Sequence, residues 1–239
     1  MRKVCVFVEG QTEQVFVREF LLKWHQYQDV SVECYRILSK STLPAEYDIP
    51  NPDAHYHYQI VNVGNDGRVL SWLLERVPGL RDEGYEIVVG LRDMYCQKYR
   101  EKSSEISADL NQIFRDIVQT EIEARLQEGA SIVSFHFAVM EIEAWMLAMY
   151  PSLLKKFPSL TVENLSSVYD FDADIEQTIF HPADTLNEVF MLSGDTYDKH
   201  KSDANSILSC IDKSDFELLY NSGRCQSFRL FVDSLLNIE

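Results

Sequence analysis

The sequence predicts an α/β fold: a mostly parallel sheet flanked by helices, followed by a helical C-terminal extension. Three observations carry this. Strand-like and helix-like patterns alternate from residue 3 to residue 139, as in βαβ units with a parallel sheet. The runs Val4–Val8 and Glu86–Leu91 are almost continuously apolar, as in strands covered on both faces. Beyond Glu141 the alternation stops and only helical spacing remains. The expected division is an α/β domain over residues 1–150, with residues 151–239 forming a helical extension packed on it.

The elements follow in order. Val4–Val8 is a strand that runs into Glu9-Gly10-Gln11. Gly10 allows a tight turn, and Thr12 is a good N-cap for a helix reaching from Glu13 to Tyr27. Val30–Leu38 alternates like a strand. Residues 39–54 hold three prolines and several polar groups, which reads as a loop. Tyr56–Val63 is a strand ending in the turn-rich segment Asn62–Gly67, and a helix follows from Arg68 to Val77. Glu86–Leu91 is the next strand, with Arg92-Asp93-Met94-Tyr95 at its carboxyl end. A long amphipathic helix covers Ser104–Gln127 and is stopped by Gly129. Ile132–Val139 is the last strand. Helices then follow at 141–149, 162–168, 182–192, 204–211 and 226–236.

Composition narrows the function classes. Of 239 residues, 46% are hydrophobic, enough for a real core. No apolar run approaches the length needed to cross a bilayer, and a signal-peptide pattern is not expected. The five cysteines are widely spaced and form no CxxC pair, so the expectation is a reduced cytoplasmic protein without structural zinc. The formal net charge is −16. It is uneven, with 12 basic and 14 acidic residues in 1–100 against 10 and 24 in 101–239. Such a surface argues against a broad basic nucleic-acid groove. It leaves open metal-assisted phosphate chemistry, because cations can bring phosphate to carboxylates.

Three acidic clusters follow strands: Glu9, Asp93, and the pair Glu141 and Glu143. In open α/β sheets the carboxyl ends of strands are where ligands bind. If the strands at 3–8 and 86–91 lie side by side and parallel, as expected, the clusters reach one edge. Converging carboxylates suit a hard divalent cation. Each acid also has a plain structural reading. Glu13 fits a first-turn helix acid as well as a ligand. Asp93 fits a helix cap. Glu141 and Glu143 are two apart, so a regular helix would not put both on one face. With Glu141 ahead of the helix, Glu141 faces the cation and Glu143 caps or pairs with a base. Arg92 fits either phosphate binding or an interior ion pair. His55-x-His57 is a weak metal signal. Asp170-Phe171-Asp172-Ala173-Asp174 resembles half a calcium loop and reads as a helix-start turn. There is no nucleophile elbow and no phosphate-binding glycine loop of the Walker type.

Val8-Glu9-Gly10-Gln11-Thr12-Glu13 resembles the first motif of Toprim domains, the fold of topoisomerases, primases, OLD-family nucleases and ribonuclease M5-type enzymes. More narrowly, the chain resembles the Toprim-like DUF4276 family. Asp93 matches the first acid of the Toprim Asp-x-Asp motif, and Tyr95 stands where the second would be. Met140–Trp145 resembles the family's Glu-x-Glu-Ala segment, Asn62-Val63-Gly64 its glycine turn, and Tyr197-x-Lys199 its C-terminal pattern. The resemblance implies Mg²⁺- or Mn²⁺-dependent phosphodiester hydrolysis, in the setting of bacterial phage defence. Glu9 and Asp93 would be catalytic, and Glu9, Asp93 and Glu141 would hold metal. Glu13, Tyr95, Glu143, Gly64 and Lys199 are further site candidates. The implied partners are nucleic acid and an ATPase, with no membrane. Two alternatives stand beside this: an inactive module that binds a nucleotide or a partner protein, and a metal-dependent hydrolase of small phosphate esters.

Overall fold

A computed structural model describes residues 1–39, 41–45 and 48–236. The chain divides into two compact units. The first comprises Met1–Arg92, Ala108–Phe137 and the C-terminal segment from Phe231; the second comprises Asp93–Ser107 and Ala138–Leu230.

The first unit is built on a six-stranded sheet. In chain order the strands are β1 (Arg2–Val8), β2 (Val30–Leu38), β3 (Ser41–Pro44), β4 (Tyr56–Asn62), β5 (Ile87–Asp93) and β6 (Val133–Ala138). Their spatial order is β3-β2-β4-β1-β5-β6. β1 pairs in parallel with both β4 and β5, and β2 pairs in parallel with β4. The expected neighbours are therefore neighbours, with Val8 opposite Leu91. β1 lies inside the sheet, and Val4–Val8 are all buried, which is why that run shows no polar alternation. Helix α1 (Gln11–Trp24) lies against β2 and β4, and α2 (Val69–Asp82) lies against β1. Cys5, Phe7, Val61, Trp72, Leu73 and Val77 share one buried cluster on the α2 side.

Several local expectations are corrected. Residues 41–44 are not loop: they form a short edge strand, antiparallel to β2 and exposed along most of its length. So exposed an edge carries no apolar alternation to read. Lys40, Glu46 and Tyr47 of that predicted loop lie outside the described residues. Thr12 does not cap α1. The N-cap is Gly10, in extended conformation, and a Cβ on it would stand 2.8 Å from a Glu13 carboxylate oxygen. Gly10 thus makes room for Glu13 rather than supplying a left-handed turn. Helix α2 continues past Pro78 to Asp82. Pro78 is exposed, while Val77 and Leu80 on either side are buried, so packing offsets the missing backbone bond. The long helix α4 (Ala108–Leu126) ends before Gly129. Gln127 itself takes the left-handed turn at φ +46°, and a 3₁₀ stretch over Gln127–Ile132 leads into β6.

The second unit is helical. It contains α3 (Gln97–Arg100), α5 (Glu143–Ala148), α6 (Tyr150–Lys156), α7 (Val162–Ser166), α8 (Ile175–Thr178), α9 (Pro182–Met191), α10 (Lys201–Leu208) and α11 (Lys213–Ser222). α12 (Gln226–Leu236) closes the described chain. Asp174 caps α8 by accepting from the Glu176 N–H at 3.0 Å, so the half calcium loop is a helix-start turn. Trp145 is fully buried. Its indole N–H donates to Glu176 at 3.1 Å and to Ser227 at 2.9 Å. No described helix is long and apolar enough to cross a membrane.

Candidate metal centre

The site is assembled where the chain leaves β5 and β6. The Met94 N–H donates to the Ala138 carbonyl at 2.9 Å, and the Tyr95 N–H to the Met140 carbonyl at 2.8 Å. These two bonds extend the pairing past the strand ends and bring Asp93 beside residues 141–143. Met140 is fully buried and takes a left-handed backbone, φ +60°. For a residue with a Cβ that conformation is costly, and it turns the chain sharply from strand to helix. The Ile142 N–H, at the start of α5, then donates to Asp93 Oδ1 at 2.9 Å. Asp93 is thus a helix cap, as its plain structural reading has it, supplied from another segment.

Asp93, Glu141 and Glu143 are all buried, and one carboxylate oxygen from each lies within 4.8 Å of the others. This is the one such group of acids, histidines and cysteines among the described residues. Glu143 pairs with a base, Lys199, as expected, and its carboxylate also lies in one group with that of Glu141. Glu141 precedes α5 and Glu143 opens it, so the turn at Met140 aims both at the same place.

Each of the two glutamates has defined partners. Glu141 Oε2 accepts from the Ala183 N–H at 2.9 Å, in the first turn of α9, where the helix dipole favours negative charge. Glu141 Oε1 accepts from Lys199 Nζ at 2.6 Å. Glu143 is 1% exposed; its Oε1 accepts from the Tyr197 hydroxyl at 2.8 Å. Its Oε2 lies 3.6 Å from Lys199 Nζ and accepts no hydrogen bond. Burial pushes the Glu143 carboxyl up from its ordinary range, and the Glu141 charge adds to this, while Lys199 and the Tyr197 hydroxyl oppose it. For Lys199 burial acts downward, but the Glu143 and Glu141 carboxylates outweigh it and hold the ammonium charged.

These donors fit a hard divalent cation. All three offer oxygen, and Glu143 Oε2 is a buried acceptor with no hydrogen bond to satisfy it. Three carboxylates and one ammonium leave an excess of negative charge for a cation to balance.

Other sequence candidates sit as follows. Glu9 and Glu13 belong to the first unit: Glu9 follows β1 and Glu13 lies in the first turn of α1. Glu13 is buried there. Gly64 takes φ +74°, with its N–H bonded to Asn62 Oδ1 at 2.8 Å, so the turn requires glycine. Tyr95 packs edge-on against Phe180 and His181, and the Arg100 guanidinium lies 5.5 Å above its ring. Arg92 lies over the Phe137 ring at 5.5 Å. His55 Nδ1 pairs with Asp29 at 2.6 Å. The role of Lys199 against both glutamates had only the Tyr197-x-Lys199 pattern as a signal. Its position 58 residues after Glu141 is not readable locally.

No curated protein and no solved structure matches the chain. One family does: residues 8–236 match DUF4276, a domain of unknown function, and because that match spans nearly the whole sequence, the chain belongs to the DUF4276 family.

Proposed function

We propose that the protein is a Toprim-like, divalent-metal-dependent phosphodiesterase acting on nucleic acid. The single observation that carries this reading is the buried group Asp93, Glu141 and Glu143, with its unsatisfied Glu143 oxygen. Mg²⁺ or Mn²⁺ held there would neutralise phosphate and activate water. Asp93 and Glu141 are held by the Ile142 and Ala183 N–H groups, which fixes their oxygens without consuming every lone pair. Glu9 enters the proposal as a further ligand and general base. Its support is its place at the carboxyl end of β1, beside which β5 runs parallel. A bacterial cytoplasmic setting in phage defence, and an ATPase partner, complete the reading by resemblance.

A second reading is favoured by Lys199, which already neutralises part of the acid group, and by the net charge of −16. In it the site is inactive and the domain binds a nucleotide or partner. Hydrolysis of a small phosphate ester remains the enzyme alternative that suits the acidic surface.

The test is cleavage of single- and double-stranded nucleic acid, and of mononucleotides, with Mg²⁺, with Mn²⁺ and with EDTA. Metal-dependent cleavage that falls at least about 100-fold in Glu141→Gln is expected, on the scale of losing electrostatic stabilisation at a reacting phosphate. Cleavage that survives EDTA, or is unchanged in Glu141→Gln, rejects the phosphodiesterase reading.

A further inference from the structure

The geometry points to Lys199 as a tethered counter-ion that occupies the acid site until a divalent cation displaces it. This rests on the metal reading above and adds what governs occupancy. Lys199 Nζ stands 2.6 Å from Glu141 and 3.6 Å from Glu143, so its positive charge already lies against two of the three carboxylates. A divalent cation held by the same oxygens cannot share that space with an ammonium, because like charges a few ångströms apart repel strongly in a buried setting.

The backbone around Lys199 is built to present it. Lys199 takes φ +58°, a left-handed conformation that a lysine adopts only under constraint. Asp203 supplies the constraint: its Oδ2 accepts from the Asp198 N–H at 3.0 Å and from the His200 N–H at 3.1 Å, one residue either side. The Tyr197 N–H is held by Asn187 Oδ1 at 2.9 Å, and the Tyr197 hydroxyl holds Glu143. With the backbone fixed, only the flexible four-carbon stem is free to swing. Its side chain keeps 43% of its surface exposed, which gives the ammonium a way out to solvent. Displaced from the acids, Lys199 stays within its own reach of whatever anion the cation attracts. One residue thereby lowers the affinity for metal alone and supports metal and anion together.

The experiment is calorimetric titration of wild type, Lys199→Met and Lys199→Arg with MnCl₂. Removing the competing charge is expected to tighten Mn²⁺ binding by about tenfold or more in Lys199→Met, whereas Lys199→Arg stays near wild type. Equal or weaker binding in Lys199→Met overturns the proposal. Binding by Lys199→Met alone overturns displacement in the native protein, because Lys199 then shuts the cation out, and it rejects a native metalloenzyme as well. No binding by either protein overturns both. If Lys199→Met does not fold, a crystal structure of wild type with Mn²⁺ decides: Lys199 Nζ beyond hydrogen-bond distance of Glu141 supports displacement, and Nζ still on Glu141 beside the ion overturns it.

Discussion

Glu176 shows what burial does to a single acid. It is buried at the start of α8, where Oε1 accepts from the Trp145 indole and the Ser227 hydroxyl, and Oε2 from the Ser227 N–H at 3.0 Å. Burial pushes its carboxyl up to about 7, against these three donors, which pull the other way. The unfolded chain releases this proton near the ordinary glutamate value, so the folded state binds more protons between roughly pH 4.5 and 7. Stability from this group is therefore full below that window and is lost as pH rises through it, by about 3 kcal/mol at most. The raised carboxyl of Glu143 adds a slope of the same sign. Thermal melts from pH 5 to pH 8 are expected to fall in wild type and to fall less in Glu176→Gln. Parallel profiles for the two proteins would refute the assignment.

At the scale of elements, Gly90 sets how closely β5 and β6 lie. A Cβ there would stand 2.4 Å from a Phe135 ring carbon and 3.1 Å from Leu73. Phe135 is half-buried against the core cluster, and a rigid ring has no flexible end to move aside, so the strand spacing depends on a missing methyl. Gly90→Ala is expected to lower stability by about 1–3 kcal/mol in urea unfolding, the usual range for overpacking. An unchanged midpoint would show that Phe135 yields without cost. The same strand ends at Asp93, so its placement bears on the site as well as on stability.

For the molecule as a whole, charge dominates. A net −16 on 239 residues repels itself, and salt screens that repulsion over about 10 Å at 0.1 M. Raising NaCl from 10 to 150 mM should therefore raise the melting temperature, by about 2–4 °C for each kcal/mol relieved. A melting temperature that falls with salt would mean that ion pairs such as Lys155 with Asp212 and Asp215 outweigh the repulsion. Those pairs are largely exposed on the Lys155 and Asp212 side and count for little each.

Features that depend on local pattern were readable along the chain. The apolar runs at β1 and β5 announced buried parallel strands, because a strand covered on both faces cannot alternate. Asp93 and Glu141 were legible as acids at strand ends, since the strands that position them lie within a few residues. The start of helix α12 at Gln226 was legible from its apolar face. The remaining features came from long-range packing. β3 escaped detection because an exposed edge needs no apolar signature, and α2 outlasted Pro78 because Leu80 reaches the core. Glu143 joined Glu141 because Met140 adopts a backbone its side chain disfavours, an outcome of packing rather than propensity. The encounters of Lys199 with Glu141, and of Glu176 with Trp145 and Ser227, join residues 31 to 58 positions apart. Such contacts depend on how many helices pack at once, and no periodicity along the chain records that.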